Sequence, residues 1–359
     1  MKRILVLNPG STSTKLAIYE DRRCAYEKNI SYTAETLGQF HSFSDQYEMR
    51  KKDILDFVHE TGLDPKELTA IAARGSGFGP MEAGAYEIDA DLEKACHEKV
   101  RHVSYLATVI SYELIKEYGI KGYVYDCQSA IELPGYAKLS GIPQLERRAG
   151  GHVLNSRAAA RKAAEQLGKR YEDGVYIVAH LGGGCSTTLH ENGRIIDVIG
   201  GDEGTFTPER AGRLPMRAFT RMCFSGKTSR QEIESFFTGK GGFVAYLNTN
   251  DARTVAKMMA DGDENAKLVC EAMAYQITKD IGALYAVMPD RVDAIVLTGG
   301  LAYFEELMEM VIGRVSKLAT TLRFPGSFEM EALAYGVLRV LNGEEKAHIL
   351  RKDGTQNEK

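Results

Sequence analysis

The sequence predicts an α/β protein made of two related halves, and three observations lead to that expectation. Stretches with helical periodicity alternate with short apolar strands along the chain. A strand, a turn of small polar residues and a second strand stand near the start, and the same pattern recurs half a chain later. At 359 residues the chain is also too long for one ordinary core, and it suits two domains of roughly 150 to 180 residues.

Residues 3–8 read as a buried strand, "PGSTST" as a turn, and "KLAIYE" at 15–20 as the returning strand of a hairpin. Helical stretches at 51–61 and 91–118 are interleaved with strands at 69–74 and 121–126, the latter ending on Asp126. From residue 175, "VYIVAHLGGGCSTTLHENGRIIDV" repeats the hairpin pattern. At a constant offset of 173 positions, Ile4, Gly10, Thr14 and Leu16 fall on Ile177, Gly183, Thr187 and Leu189. Helices at 155–168 and 263–288 follow the logic of the first half, and the strand "DAIVLTGG" at 293–300 runs into another helix. A last helix spans 329–342. The charged stretch that follows, 344–359, reads as a frayed tail. The expected division is 1–150, joined by the helix at 327–343, and 151–326.

A net charge of -4 and a pI near 6.1 supply no overall basic field, so a small molecule or a protein is a better partner than nucleic acid. The six cysteines lie at least 31 positions apart, so no CxxC pair marks zinc or thiol redox chemistry. The apolar run in "MKRILVLN" is too short for a signal segment, and no stretch is long and apolar enough to cross a membrane. A cytoplasmic location is expected. Glycine, at 36 residues, exceeds its usual share of roughly 7%, which implies sharp turns or close approach of backbone to a ligand.

Glycines remove the Cβ that blocks an approaching phosphate, and hydroxyls add donors, so the two small-residue turns suit phosphate binding, although each also reads as a plain hairpin. "GSTSTK" is not a Walker loop, because Thr14 rather than Gly precedes Lys15. "ARGSGFGP" at 73–80 follows a strand but continues into Pro80 and a further turn, whereas a dinucleotide fingerprint opens a helix. Its glycines suit a bend that projects Arg74 into a cleft; by residue type alone Arg74 also suits a surface ion pair. Cys96, His97 and His102 do not share one helical face, since five positions span about 500°, and they are not read as a metal site. His152 stands just before a helix beside Arg147 and Arg148, where neighbouring cations favour a neutral imidazole. It reads as a cap, a surface residue or a catalyst. Gly299 and Gly300 lie where open parallel sheets bind ligands.

The segments "LVLNPGSTSTK", "AHLGGGCSTTLHENGRIIDV", "FTPERAGRLP", "CFSGK", "GGFVAYLNTNDAR", "AMAYQI", "IVLTGGLA" and "RFPGS" resemble the acetate and butyrate kinase family of the actin-like ATPase superfamily. The resemblance runs over nearly the whole chain, whose length is that of the butyrate kinases. It implies two duplicated ribonuclease-H-like domains around a nucleotide cleft. It also implies phosphoryl transfer between ATP and butyrate or a branched short-chain acid, with Mg²⁺ bound to ATP or ADP and assembly as a homodimer or larger homo-oligomer. By the same resemblance Asn8, Ser11, Ser13, Lys15 and Glu329 line the phosphate and metal side, though Glu329 is followed by Met330 where the family has a second Glu. His180, Gly182, Gly183 and Gly184 meet the nucleotide phosphates, and Asp251, Ala252, Arg253, Gly299 and Gly300 hold adenosine. Arg74, Asp126 and His152 surround the transferring phosphoryl group. A second arginine comes from "FTPERAGR", either Arg210, the better local match, or Arg213.

The chain departs from the family on the acyl side. Gly150 and Gly151 stand where an aromatic residue precedes the histidine in the family, an expected enlargement of the acyl pocket for longer or branched acids, whereas Tyr105, in place of an Asn, is expected to fill it again. A regulatory nucleotide-binding paralogue and a sugar kinase remain the alternative functions.

Overall fold

A computed structural model of the chain describes residues 1–75, 81–98, 102–147 and 150–350. The chain forms two compact units, Met1–Ala130 with Phe328–Lys359, and Ile131–Ser327. The stretch 131–150, expected with the first half, groups with the second. It is held there by the Glu132 N–H on Ile195 O (2.8 Å) and by Arg147, which donates to Val198 O (2.8 Å) and to Asp197 (3.2 Å).

The first unit contains β1 (Arg3–Pro9), β2 (Ser13–Glu20), β3 (Arg23–Ser31), β4 (Ala70–Arg74), β5 (Ala85–Glu87) and β6 (Lys121–Tyr125). They form one sheet in the order β3-β2-β1-β4-β6-β5. β1 runs antiparallel to β2 and parallel to β4, and β4 runs parallel to β6. The second unit contains β7 (Val175–Leu181), β8 (Cys185–Glu191), β9 (Arg194–Ile199), β10 (Ala294–Gly299) and β11 (Thr320–Pro325), ordered β9-β8-β7-β10-β11 with the same senses. The two halves therefore share one topology. The constant offset of 173 does not survive the turn, however. Leu7 faces Leu16 in the first hairpin, whereas Ile177, the offset match of Ile4, faces Leu189 in the second.

The central strands are apolar on both faces because both faces are covered. Leu5 and Leu7 join a core with Ile54, Phe57, Leu106 and Ile110, while the alternate residues Ile4 and Val6 turn toward the face on which the helix Glu329–Asn342 packs. In the second unit Ile177 and Ala179 join Met273, Ile277 and Leu297. Tyr176 and Val178 face the alanines of the helix Val153–Gln166. Each sheet thus carries one helix whose N-terminus lies at the C-terminal ends of two parallel strands.

The stretch 91–118 holds two described helices, Ala90–Glu98 and Ser104–Tyr118, and not one; residues 99–101 lie outside the described set. The expected frayed tail is tied down as far as it is described. His348 exchanges backbone hydrogen bonds with Ala85 and Glu87 and stacks on Tyr86 at 4.9 Å, and Glu345 accepts from Tyr125 Oη at 2.8 Å. Residues 351–359 lie outside the described residues, as do Ser76–Pro80 of the glycine-rich stretch after Arg74 and Arg148 beside His152.

Candidate active site

In the first unit the alternation of β1 and β4 places Asn8 and Arg74 on the face covered by Glu329–Asn342, and Glu329 opens that helix. The three side chains meet. Asn8 Nδ2 donates to Glu329 Oε2 at 2.9 Å, and Arg74 Nη1 donates to Asn8 Oδ1 at 3.1 Å and to Glu329 Oε2 at 3.3 Å. Asn8 is buried, while the Arg74 side chain keeps 31% of its exposure, enough to reach a ligand. Asp126 follows β6, the third parallel strand, in a left-handed conformation (φ 44°) that Asp tolerates better than most residues. Its Oδ1 accepts the Gly84 N–H at 2.9 Å, and its own N–H donates to Gly84 O at 3.0 Å. That grip fixes the carboxylate beside the strand end.

Between β1 and β2 the Gly10 N–H donates to Ser13 O at 2.8 Å, whereas the amides of Ser11 and Thr12 find no partner among the described residues. Both residues are solvent-facing or nearly so, and Lys15 is exposed on β2. Two adjacent open amides, with an exposed lysine three residues on, are groups suited to an anion. His102, set aside in the sequence with the metal candidates, belongs here. Its Nε2 lies 3.5 Å from Ser11 Oγ and its Nδ1 lies 2.8 Å from Ser104 Oγ. Although the residue keeps some solvent access, packing around the ring, then the charges of Arg74 and Arg50, lower its pKa, so the imidazole is neutral near pH 7.

The second unit repeats the arrangement with different side chains. His180 on β7 and Thr298 on β10 are paired neighbours on the face covered by Val153–Gln166, whose start carries His152 and Asn155. Buried Asn155 donates to His180 Nδ1 at 2.8 Å and to Thr298 Oγ1 at 3.3 Å. His180 Nδ1 therefore accepts, and a neutral ring carries its proton on Nε2. Ser186 Oγ accepts the His152 N–H at 3.2 Å and lies 3.0 Å from His152 Nδ1, which orients the ring. The two imidazoles stack at 3.9 Å, 13° from parallel.

Their Nε2 edges border the Gly182–Gly184 turn. A Cβ on Gly184 would stand 3.3 Å from His152 Nε2 and 3.1 Å from Arg210 Nη1, and one on Gly182 would stand 3.5 Å from His180 Nε2. Glycine is what lets two histidines and an arginine approach this backbone. Thr207 stitches the turn to its neighbour, donating to Gly183 O at 2.7 Å and accepting from the Arg210 N–H at 3.0 Å. The two candidate arginines have different surroundings. Arg213 forms an ion pair with buried Asp280, whereas the Arg210 Nε is buried without a hydrogen-bond partner among the described residues.

Asp251, Ala252, Arg253 and Gly300 line one cavity of about 450 Å³ with Tyr303 and Phe304, a size in the usual range for small-molecule sites. Asp251 caps the helix Ala252–Ala260 through the Arg253 N–H at 2.9 Å and pairs with the Arg253 guanidinium at 2.7 Å. The guanidinium, then the backbone N–H, pull the Asp251 pKa down to about 2. Gly299 has φ +94°, and a Cβ there would fall 2.2 Å from Leu181 O, so only glycine fits the turn that enters this cavity.

Sequence and structure comparisons fit these features. The family model described as the acetokinase family matches residues 123–321. A protein from Thermotoga petrophila named a probable butyrate kinase is 45% identical over 354 residues, covering 98% of this chain and 99% of its own. This chain belongs to the acetokinase family. It is accordingly a short-chain fatty-acid kinase, a phosphotransferase with a carboxyl group as acceptor. Two solved acetokinase-like structures share the fold. Porphyromonas gingivalis acetate kinase has TM-score 0.77 and 19% identity, covering 95% of this chain and 100% of that one. A propionate kinase from Francisella tularensis subsp. tularensis has TM-score 0.73 and 20% identity, covering 94% and 99%. With the repeated sheet topology, these likenesses support the α/β fold of two duplicated ribonuclease-H-like, actin-like ATPase domains.

The acyl-side departures read differently in three dimensions. A Cβ on Gly151 would lie 3.3 Å from Val198 Cγ2 and 3.5 Å from Ile131 Cδ1, so that space is already filled, while Gly150 has nothing within 4 Å. Tyr105 packs against Cys96 and Val109 in a small buried cluster.

Proposed function

We propose that this enzyme transfers a phosphoryl group reversibly between ATP and butyrate or a branched short-chain acid, giving ADP and the acyl phosphate. The observation that carries the reading is the fixed Asn8–Arg74–Glu329 cluster at the strand ends, which presents the Arg74 cation and whose carboxylate, Glu329, accepts from Asn8 and Arg74. A short-chain carboxylate, with a pKa of roughly 4 to 5, is already ionised at neutral pH. It needs help approaching a phosphate and holding in-line charge, which donors and cations supply.

In this reading Arg74, Arg210 and His152 surround the transferring phosphoryl group, and His180 meets the nucleotide phosphates. The open amides of Ser11 and Thr12, with Lys15 and Ser13, take phosphate oxygens, as do Gly182, Gly183 and Gly184. Asp126, held by Gly84, orients this polar shell and does not remove a proton. Adenosine takes the cavity of Asp251, Ala252, Arg253, Gly299 and Gly300, with Tyr303 beside the base. Among the described residues no three His, Cys, Asp or Glu side chains gather as a metal cage. Asn8 Oδ1 and Glu329 Oε2 accept from Arg74, which leaves Glu329 Oε1 as the hard oxygen of this cluster that would hold Mg²⁺, an ion that takes most of its ligands from phosphate and water. When bound with ATP, Mg²⁺ neutralises phosphate charge. The partners proposed are ATP or ADP, the short-chain acid or its acyl phosphate, and a second copy of the chain; the proposed location is the cytoplasm.

Trapping acyl phosphate with hydroxylamine across C2 to C6 acids tests the proposal. A rate maximum at butyrate or a branched C4–C5 acid is expected. Phosphorylation of sugars with no acyl phosphate, or no turnover at all, would overturn it in favour of a sugar kinase or a non-kinase paralogue. The adenosine assignment carries its own expectation. Asp251→Ser retains the helix cap but loses the carboxylate, so KM for ATP rises roughly tenfold, the size of one charged hydrogen bond, before kcat falls. Steady-state kinetics with varied ATP at saturating acid read this directly.

A further inference from the structure

Arg50 lies on the helix Tyr47–Glu60 at the buried positions shared with Ile54, Phe57 and Val58, and it is 1% exposed. A buried guanidinium is costly unless its donors are satisfied, and here its partners are specific. Nη2 donates to Gly10 O at 3.1 Å, and Nη1 donates to Ser13 O at 3.2 Å and to Thr14 Oγ1 at 2.7 Å. Nε donates to Gln46 Oε1 at 3.0 Å. Three of the four acceptors belong to the turn between β1 and β2 or to the first two residues of β2.

The network behind the turn has one consistent set of protons. Thr14 Oγ1 accepts from Arg50 and lies 2.8 Å from Tyr32 Oη, whose own proton goes to Asp53 Oδ2 at 2.7 Å. Thr14 therefore donates to Tyr32. The Tyr32 ring lies under the guanidinium at 4.7 Å, and the Tyr32 N–H holds Thr12 O at 2.9 Å. Among the described residues no carboxylate bonds Arg50 directly; the negative charge of Asp53 stands one tyrosine away. The carbonyls of Gly10, Thr12 and Ser13 are thus drawn inward, which leaves the amides of Ser11 and Thr12 open on the other side.

We propose that Arg50 is a positioning residue of the phosphoryl site. Its three-pronged grip on Gly10, Ser13 and Thr14 sets the turn in its anion-receiving form, and its charge, closer to the turn than that of Asp53, adds to the positive field behind the open amides. Arg50 does not touch substrate. The inference rests on the reading of this turn as a phosphate site.

The test compares Arg50→Met and Arg50→Lys with the wild type in two measurements: kcat/KM for ATP in acyl phosphate formation, and calorimetric affinity for adenosine, which has no phosphate. Misplacing a reacting group by about 1 Å can cost about 100-fold. Arg50→Met is therefore expected to lower kcat/KM by about 10- to 100-fold while adenosine affinity stays within about twofold. Arg50→Lys keeps the charge but cannot span three acceptors, so it should fall between the two. A kcat/KM within twofold of wild type in Arg50→Met would overturn the proposal, and so would a parallel loss of adenosine affinity, since that marks general damage. If Arg50→Met does not fold, the same two criteria apply to Arg50→Lys. A Ser13→Ala, Lys15→Ala double variant separates the proposal from its premise. Unchanged turnover there removes the phosphate reading itself, whereas impaired turnover there with normal Arg50 variants removes only the role of Arg50.

Discussion

Arg74→Ala is expected to lower kcat by 10²- to 10³-fold while leaving ATP affinity within about threefold. Loss of one preorganised donor to transition-state charge costs roughly 3 to 4 kcal/mol of barrier, and the geometry adds a second effect of the same sign. Arg74 donates to Glu329 Oε2 and Asn8 Oδ1, so its removal also frees a carboxylate to repel the incoming phosphate. Arg74→Lys keeps a charge but not the planar fork that reaches both oxygens, and it should fall between wild type and alanine. Because the Arg74 side chain is partly solvent-exposed, the melting temperature should shift little, which separates catalytic loss from unfolding. The measurement is kcat under saturating acid and ATP, with ATP affinity taken by calorimetry. Near-normal turnover in the alanine variant would remove Arg74 from the phosphoryl site.

That cluster was partly legible in the sequence because its members sit at places that local pattern marks. Asn8 and Arg74 close apolar runs that read as strands, and Glu329 opens a helix whose extent, 329–342, is the one expected. The alternation of each strand then decides which face they share. The sheet order and the strands β3 and β11 left weaker traces, since β3 is largely exposed and β11 is only partly buried, so neither carries a strong apolar pattern. The duplication was legible as a repeated hairpin, but its register was not, because the turns of the two hairpins differ in length.

Residues that act by reaching across the fold were the least visible. Arg50 falls in "EMRKKD", where one arginine looks like its charged neighbours. The only trace of its burial is its place on the 50, 54, 57, 58 stripe. Asn155 sets the tautomer of His180 and Ser186 orients the ring of His152, from a helix and a strand whose partners are distant in sequence, so no local spacing announces them. The pair Gly150 and Gly151 divides for a related reason: deleting a side chain opens space only where no neighbour moves in, and Val198 and Ile131 occupy the side of Gly151 while Gly150 has nothing within 4 Å.

Arg210 and Arg213 are three positions apart in one motif, and their opposite environments predict opposite phenotypes. Arg213 neutralises Asp280, whose side chain is 2% exposed and whose second oxygen holds the Thr205 N–H at 2.8 Å. In Arg213→Met that carboxylate stays buried with a single backbone donor. Breaking such a pair from one side costs roughly 3 to 5 kcal/mol, which for a unit of this size lowers Tm by roughly 6 to 20 °C at about 2 to 4 °C per kcal/mol. Replacing both partners, Arg213→Met with Asp280→Leu, removes both charges, and the double variant should recover part of the loss instead of summing the two singles. Arg210 differs because its Nε is buried without a partner among the described residues while Nη1 lies beside Gly184 and His152. Arg210→Ala deletes an unsatisfied donor, so Tm should hold or rise slightly, yet kcat should fall about 100-fold as a cation leaves the phosphoryl site. Calorimetric Tm and kcat on the same preparations decide the matter. If Arg213→Met kept its Tm and lost turnover while Arg210→Ala stayed active, the second arginine of the reaction would be Arg213, and Asp280 would be holding a catalytic group in place, not closing a structural pair.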